Sequence, residues 1–302
     1  MWLPVNLSAS CIFTALLYNV AMKPRQKIAG PDVKQELLEG QSRELLQQLH
    51  LLTRDGDLNA DARRKLKQVN HLINLLRPGL DDLLARFDDP IIVDVGSGKS
   101  YLGFLLYDLY LRQRDCGRII GIESRPELVT AVRDLAAKAG FERMEFQQAL
   151  AESAALPQRV HMLVALHACD TATDDAILLG LKNKAEYIAV VPCCQAQVAQ
   201  QLKSLKDSPL ADLYAHAIHR REFGSHLTNV FRTLALQAAG YQVSVTELVG
   251  WEHSLKNEFI LARRIGSSFP PARSRLQRLL EQFPIHPKLP AELGYCDKGN
   301  TV

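Results

Sequence analysis

Apolar positions recur at helical spacing through the first part of the chain. Leu37, Leu38, Leu45, Leu46, Leu49 and Leu52 keep that period, and so do Leu66, Val69, Leu72, Ile73, Leu75 and Leu76. The spacing predicts a helical region from about Pro31 to Phe87, interrupted by a turn at Arg54-Asp-Gly-Asp57. From Asp89 the pattern changes to short apolar runs that alternate with amphipathic segments. Ile91–Val95, Arg118–Ile122, Met144–Phe146, His161–Leu166 and Tyr187–Val191 read as strands. Tyr101–Arg112, Pro126–Ala139 and His226–Ala239 read as helices, with Pro126 in a first turn and Gly240 as a stop. Tyr241–Val249 and Glu258–Arg264 follow with no room for a helix between them, which predicts an antiparallel pair. The alternation predicts an α/β fold with a doubly wound seven-stranded sheet, mostly parallel with an antiparallel edge strand. The expected divisions are a helical N-terminal extension (1–88), the sheet domain (89–266) and a tail (267–302) with a short basic helix, Ala272–Gln282.

Composition narrows the class. The chain has 302 residues, 47% hydrophobic and 23% charged, which excludes a disordered or low-complexity protein. Lys and Arg total 36 against 33 Asp and Glu, a net charge of +3, so any nucleic-acid surface must be local. Arg63, Arg64, Lys65 and Lys67, together with Arg263–Arg278, are the basic segments that could supply one. Six cysteines are too sparse for a disulfide scaffold, and the adjacent Cys193 and Cys194 point to reduced thiols in a cytoplasmic setting. Leu3 to Met22 carry no charge. They include Pro4, Asn6, Ser8, Ser10, Thr14 and Asn19, and no Lys or Arg precedes them. That pattern reads as a packed N-terminal segment, with Met22 as an alternative start, and no membrane is expected.

The strongest chemical signal is Val93-Asp94-Val95-Gly96-Ser97-Gly98-Lys99-Ser100, which ends the first strand and opens a helix. Glycines there let the backbone turn sharply and approach a ligand, with helix N-terminal N–H groups facing it. Glu123 ends the next strand, where a carboxylate can accept hydrogen bonds from ribose hydroxyls. A nucleoside triphosphate loop would need its first glycine at Val93, and a dinucleotide loop would need glycine at Tyr101. What remains is a ligand with a ribose and no pyrophosphate, a description that S-adenosylmethionine fits.

At these residues the sequence resembles class I S-adenosylmethionine-dependent methyltransferases, over roughly Ile91 to Arg264. Asp94-Val-Gly96-Ser-Gly98 is similar to the family's D-x-G-x-G loop, and Glu123 to its ribose-binding acid, with Ser100 where a third glycine is usual. The resemblance implies a Rossmann-like fold, S-adenosyl-L-methionine as methyl donor, and a donor site formed by Asp94, Gly96, Ser97, Gly98 and Glu123. Gln148 or Ala149 stands where an adenine contact is expected, without a carboxylate. Leu166-His-Ala-Cys-Asp-Thr-Ala-Thr-Asp174, Pro192-Cys-Cys194 and Glu252-His-Ser-Leu-Lys-Asn257 further resemble the methyltransferase domain of glutathione S-transferase C-terminal domain-containing proteins. Similar L-H-x-C and Cys-Cys elements occur in some tRNA 2′-O-methyltransferases.

In a doubly wound sheet the reaction crevice lies beyond the carboxyl ends of the strands. His167, Cys169 and Asp170 follow the fourth strand, and Cys193, Cys194 and Gln195 the fifth. Three readings compete. His167 and Asp170 position or deprotonate an acceptor beside pocket-lining cysteines; a cysteine attacks a pyrimidine ring; or His167 and the cysteines bind zinc. The expected catalytic residues are His167, Asp170, Cys193 and Cys194, with no metal. Against all three stands the plain alternative of buried cysteines as small hydrophobes and Asp170 as a helix cap. Arg221, His253, Lys256 and Asn257 are the expected substrate-binding residues. RNA is the favoured acceptor; a protein, a small molecule or a non-catalytic binding module are the alternatives. The sequence assigns no oligomeric state.

Overall fold

In a computed structural model of the chain, the described residues are 36–166, 168–192, 195–248 and 258–297. The uncharged N-terminal segment, His167, Cys193, Cys194, His253, Lys256 and Asn257 lie outside them. Residues 37–302 form one compact unit.

The sheet contains β1 (Ile91–Val95), β2 (Arg118–Glu123), β3 (Met144–Gln148), β4 (Met162–Ala165), β5 (Tyr187–Val190), β6 (Tyr241–Glu247) and β7 (Glu258–Arg264), in the order β3-β2-β1-β4-β5-β7-β6. The first five run parallel, with β1 at the centre between β2 and β4. β7 is antiparallel to both its neighbours, so the reversed strand sits one place in from the edge and β6 forms the edge itself. β1, β4 and β5 are buried at every position, as expected for parallel strands covered on both faces. β6 alternates only at its start and is then exposed, the pattern of an edge.

The helices are α1 (Arg43–Gln48), α2 (Ala60–Arg86), α3 (Tyr101–Leu106), α4 (Pro126–Ala139), α5 (Thr171–Lys182), α6 (Gln197–Leu202), α7 (Ala217–Ala238), α8 (Pro270–Gln282) and α9 (Lys288–Glu292), with α3 continuing into a π-turn over Tyr107–Leu111. The Asn59 side chain caps α2 by accepting from the Ala62 N–H at 2.8 Å. The helix then runs through Pro78 without ending there. It lies close on β5. A Cβ on Gly79 would stand 3.2 Å from the Tyr187 ring, and the Tyr187 hydroxyl donates to Asp82 at 3.0 Å. The α4 boundaries follow from Pro126 in its first turn and Gly140, at φ +68°, just past its end.

Two segments depart from the sequence expectation. α7 starts at Ala217, so Arg220, Arg221, Gly224 and His226 lie on the helix instead of in a loop before it. Gly224 serves packing within the helix: a Cβ there would come within 2.8 Å of Ala199 on α6. The tail also does more than carry one helix. Leu276, Leu280, Phe283, Ile285 and Leu289 share a core with Val93, Ile120, Leu163 and Ile188 of the sheet. No described helix is long and apolar enough to cross a membrane.

Candidate active site

The loop after β1 is built by its backbone. The Gly96 and Ser97 N–H groups both donate to the Ile122 carbonyl, at 2.8 and 3.0 Å, which folds the loop over the end of β2. Gly96 and Gly98 sit at φ +68° and +55°, conformations that L side chains rarely adopt. Ser100 reaches φ +51° as well, which explains why this position suits glycine, and it precedes the first turn of α3. Its hydroxyl lies 3.4 Å from Asp94 Oδ2. Asp94 is almost fully buried. Burial, with the Glu123 charge adding to it and the Ser100 hydrogen bond opposing it, pushes its carboxyl up to about 7.

Glu123, at the end of β2, faces this loop. Its Oε2 accepts the Gly98 N–H at 2.9 Å and Arg125 Nη2 at 3.2 Å. Its Oε1 accepts the Arg125 backbone N–H and Nε, both at 3.0 Å. Burial pushes the Glu123 carboxyl up, but the Arg125 guanidinium and these N–H groups outweigh it and hold the carboxyl below its ordinary value. Glu123 is therefore a charged acceptor at neutral pH.

A cleft of about 360 Å³ opens here, within the size range of small-molecule sites. Gly96, Gly98 and Glu123 line one side, and Ala149, Leu150 and Glu152 another. Leu150 is 57% exposed, an apolar surface presented to the cleft. The segment after β3 is fixed by the Ala149 N–H, which donates to the Glu123 carbonyl at 3.1 Å. Sequence reasoning looked for a carboxylate at Gln148 or Ala149. The 3-10 turn over Ala151–Ser153 instead brings Glu152 to the cleft wall. Of the expected donor residues, Ser97 is placed differently. Its hydroxyl is buried without a hydrogen-bond partner and lies 3.2 Å from where a Cβ on Gly121 would be. Neither Ser97 nor Asp94 is among the cleft-lining residues.

The residues of this wall suit S-adenosylmethionine. Glycines at positive φ leave a cradle free of Cβ atoms, and an ionised Glu123 can take a ribose diol. Residues 64–201 match the model of a family described as a methyltransferase domain. The match spans β1 to β5 and includes both the glycine loop and Glu123. By that match, the part of the chain that carries the glycine loop and Glu123 is a methyltransferase domain. The domain is also similar to the glutathione S-transferase C-terminal domain-containing protein of Bos taurus, at 28% identity over 174 residues, covering 56% of this chain. The aligned stretch spans 25% of that relative's length. Among solved structures, an rRNA methylase from Streptococcus thermophilus aligns at 12% identity and TM-score 0.39, covering 61% of this chain and 93% of its own. A SAM-dependent methyltransferase from Aquifex aeolicus aligns at 18% and 0.37, covering 66% and 97%. A Podospora anserina methyltransferase holding S-adenosylhomocysteine aligns at 13% and 0.40, covering 74% and 87%. At those scores the structural likenesses carry no argument about substrate.

The far wall of the methyltransferase domain's cleft comes from Ala168, Cys169, Ala172 and Asp175, after β4. Here side chains tie distant segments together. Asp170 adopts φ +51° and ψ −121°, a strained conformation for a residue with a Cβ. Its carbonyl accepts Arg232 Nη2 at 2.7 Å, and its carboxylate Oδ1 accepts the Ala196 and Gln197 N–H groups at 2.9 and 3.3 Å. Asp170 thus caps α6, and not the helix that it precedes. Arg232, at 1% exposure, also donates to both oxygens of Asp174, at 2.8 and 2.9 Å, and to Asn229 at 3.1 Å. The Ser225 hydroxyl donates to Gln195 Oε1 at 2.6 Å. The Lys288 ammonium pairs with Asp175 at 2.6 Å, and its backbone N–H donates to Gln197 at 3.0 Å.

The structure therefore brings together Asp94, Gly96, Gly98 and Glu123, with Asp170 on the opposite wall's framework. Arg221 stands apart: it is exposed on α7 and paired with Glu222 at 2.9 Å. Among the described residues, no group of three or more His, Cys, Asp and Glu is placed to hold a metal ion. The zinc reading turned on His167, Cys193 and Cys194, which lie outside the described residues.

Proposed function

We propose that the protein transfers a methyl group from S-adenosylmethionine to RNA. The observation that carries the donor half of this reading is the Glu123 carboxylate, set against the Gly98 N–H at 2.9 Å across the mouth of the cleft. Glu123 holds the ribose hydroxyls, Gly96 and Gly98 admit the methionine part against their backbone, and Leu150 offers an apolar face to the adenine beside Glu152. When bound, the donor supplies an electrophilic methyl carbon on a sulfonium sulfur. An acceptor lone pair forms the new bond to that carbon as the carbon–sulfur bond breaks, and its electrons stay on sulfur. His167, in the segment after β4, takes the acceptor proton where one must leave. Asp170 supports this from the side by fixing the start of α6 through the Ala196 and Gln197 N–H groups, and Cys193 and Cys194 are proposed to line the acceptor pocket. His253, Lys256, Asn257 and Arg221 are proposed to meet the acceptor at the rim.

RNA is favoured over a protein acceptor by an exposed basic face on α2, where Arg64, Lys67 and His71 follow helical spacing. The test is transfer of tritiated methyl groups into fractionated cell extract. Label removed by ribonuclease and kept after protease is the expected result. Label removed only by protease would replace RNA with a protein acceptor, and binding without transfer to any fraction would leave a non-catalytic binding module. Substituting Cys193 and Cys194 with Ser should spare transfer. Its complete loss would favour attack by a cysteine on a pyrimidine ring.

A further inference from the structure

We propose that Arg125 sets the affinity of the donor site as a latch: its guanidinium occupies the Glu123 carboxylate and has to yield it to the ribose. The inference rests on the donor reading above and starts from a count of hydrogen bonds. An ionised carboxylate offers about four lone-pair sites. In Glu123, Oε1 takes the Arg125 backbone N–H and Nε, with the Ser124 hydroxyl at 3.4 Å, and Oε2 takes the Gly98 N–H and Arg125 Nη2. The carboxylate is full before any ligand arrives. A ribose diol brings two further donors, so two existing ones must leave.

The choice of which two follows from the geometry. The Gly98 N–H is fixed by a loop pinned to Ile122, and the Arg125 N–H by the chain entering α4. The guanidinium has no such restraint. The Arg125 side chain is 60% exposed, so water satisfies its donors once it swings out. Glu127, close enough to act on the Arg125 charge, offers a place for it on the same helix. Arg125 also lines the cleft, with Nη2 3.9 Å from the position of a Cβ on Gly98, so it stands between the glycine loop and the acid that a ribose must reach.

Only the Arg125 end of the ion pair is exposed, which keeps the latch openable: moving the guanidinium into water costs donor binding roughly two- to fivefold in dissociation constant. The test is calorimetry with S-adenosylhomocysteine on the wild-type chain and on Arg125→Gln, at about 50 mM and about 500 mM NaCl. Arg125→Gln is expected to bind about two- to fivefold tighter at low salt. Added salt should bring the wild type toward the variant and leave the variant unmoved. Equal or weaker binding by Arg125→Gln would overturn the latch, because the guanidinium would then be a bystander or a direct contact of the ligand. Silence from both proteins would refute the donor site itself, and the latch with it. An unchanged melting temperature for Arg125→Gln confirms that the comparison is between folded proteins.

Discussion

The two walls of the cleft are built in opposite ways. The donor wall is built on backbone groups: Asp94, Gly96 and Gly98 are neighbours in sequence, and the loop's N–H groups are held by the Ile122 carbonyl and the Glu123 carboxylate, which adjoin each other at the end of β2. The opposite wall, which is proposed to face the acceptor, is assembled at long range. Arg232 reaches Asp174 across 58 residues, Ser225 reaches Gln195 across 30, and Lys288 reaches Asp175 across 113. A backbone-built loop can be kept by a handful of glycines while the rest of the chain varies. A wall held by side-chain pairs depends on several elements at once, and α7 and the tail, which supply Arg232, Ser225 and Lys288, lie beyond residues 64–201.

The largest effect should come from Arg232. Arg232→Met leaves Asp174 buried without its counter-charge and frees the strained Asp170 carbonyl. The expected loss is about 3–5 kcal/mol, read by urea unfolding. The double variant Arg232→Met/Asp174→Asn should recover much of it, since no lone charge remains. A loss below about 1 kcal/mol for the single variant would mean that the acceptor wall does not hang on this pair.

The donor wall carries its own cost, in Asp94. With its carboxyl raised from 3.8 to about 7, the native state holds a proton that the unfolded chain releases, so stability through this group falls as pH rises from about 4 to about 7. Asp94→Asn should therefore stabilise the chain at pH 8, on the order of 4 kcal/mol, and leave stability unchanged below pH 4. Unfolding titrations at the two pH values check the sign. A destabilised variant at pH 8 would show that the buried carboxylate has support beyond Ser100.

These two cases also show how far the sequence could be read. The strands and the donor loop were legible because periodicity and glycine placement act over short spans. Arg125 is only two residues past Glu123, yet nothing in its spacing says that it folds back onto the acid. Glu152 was missed because a 3-10 turn moves it to the wall that Gln148 and Ala149 were expected to furnish. Arg232 had one visible signal, a single guanidinium among the apolar positions Leu227, Phe231, Ala235 and Leu236 of its helix. Its partner could not be read from that pattern, since pairing across separate elements leaves no period in either. The expected start at His226 lies inside α7, which begins at Ala217, and Gly224 within it serves contact with Ala199.

That contact gives a smaller test. Gly224→Ala should push α6 from α7 and cost about 1–3 kcal/mol in unfolding free energy, the usual range for overpacking. A neutral result would place the closeness of the two helices outside the framework of the acceptor wall. Smaller still, Ser225→Ala removes the donor to Gln195 and should cost about 1 kcal/mol. It should also lower methyl transfer while sparing donor affinity, which radiolabel transfer and calorimetry on the same preparation can compare.

The central claim is that the glycine loop and Glu123 form the donor site independently of the wall opposite. Calorimetry with S-adenosylhomocysteine on wild type, Glu123→Ala and Ser225→Ala tests it most directly. Binding by the wild type, at least about tenfold weaker binding by Glu123→Ala, and an unchanged dissociation constant for Ser225→Ala are the expected results. No heat from the wild type, or equal affinity in Glu123→Ala, would contradict it.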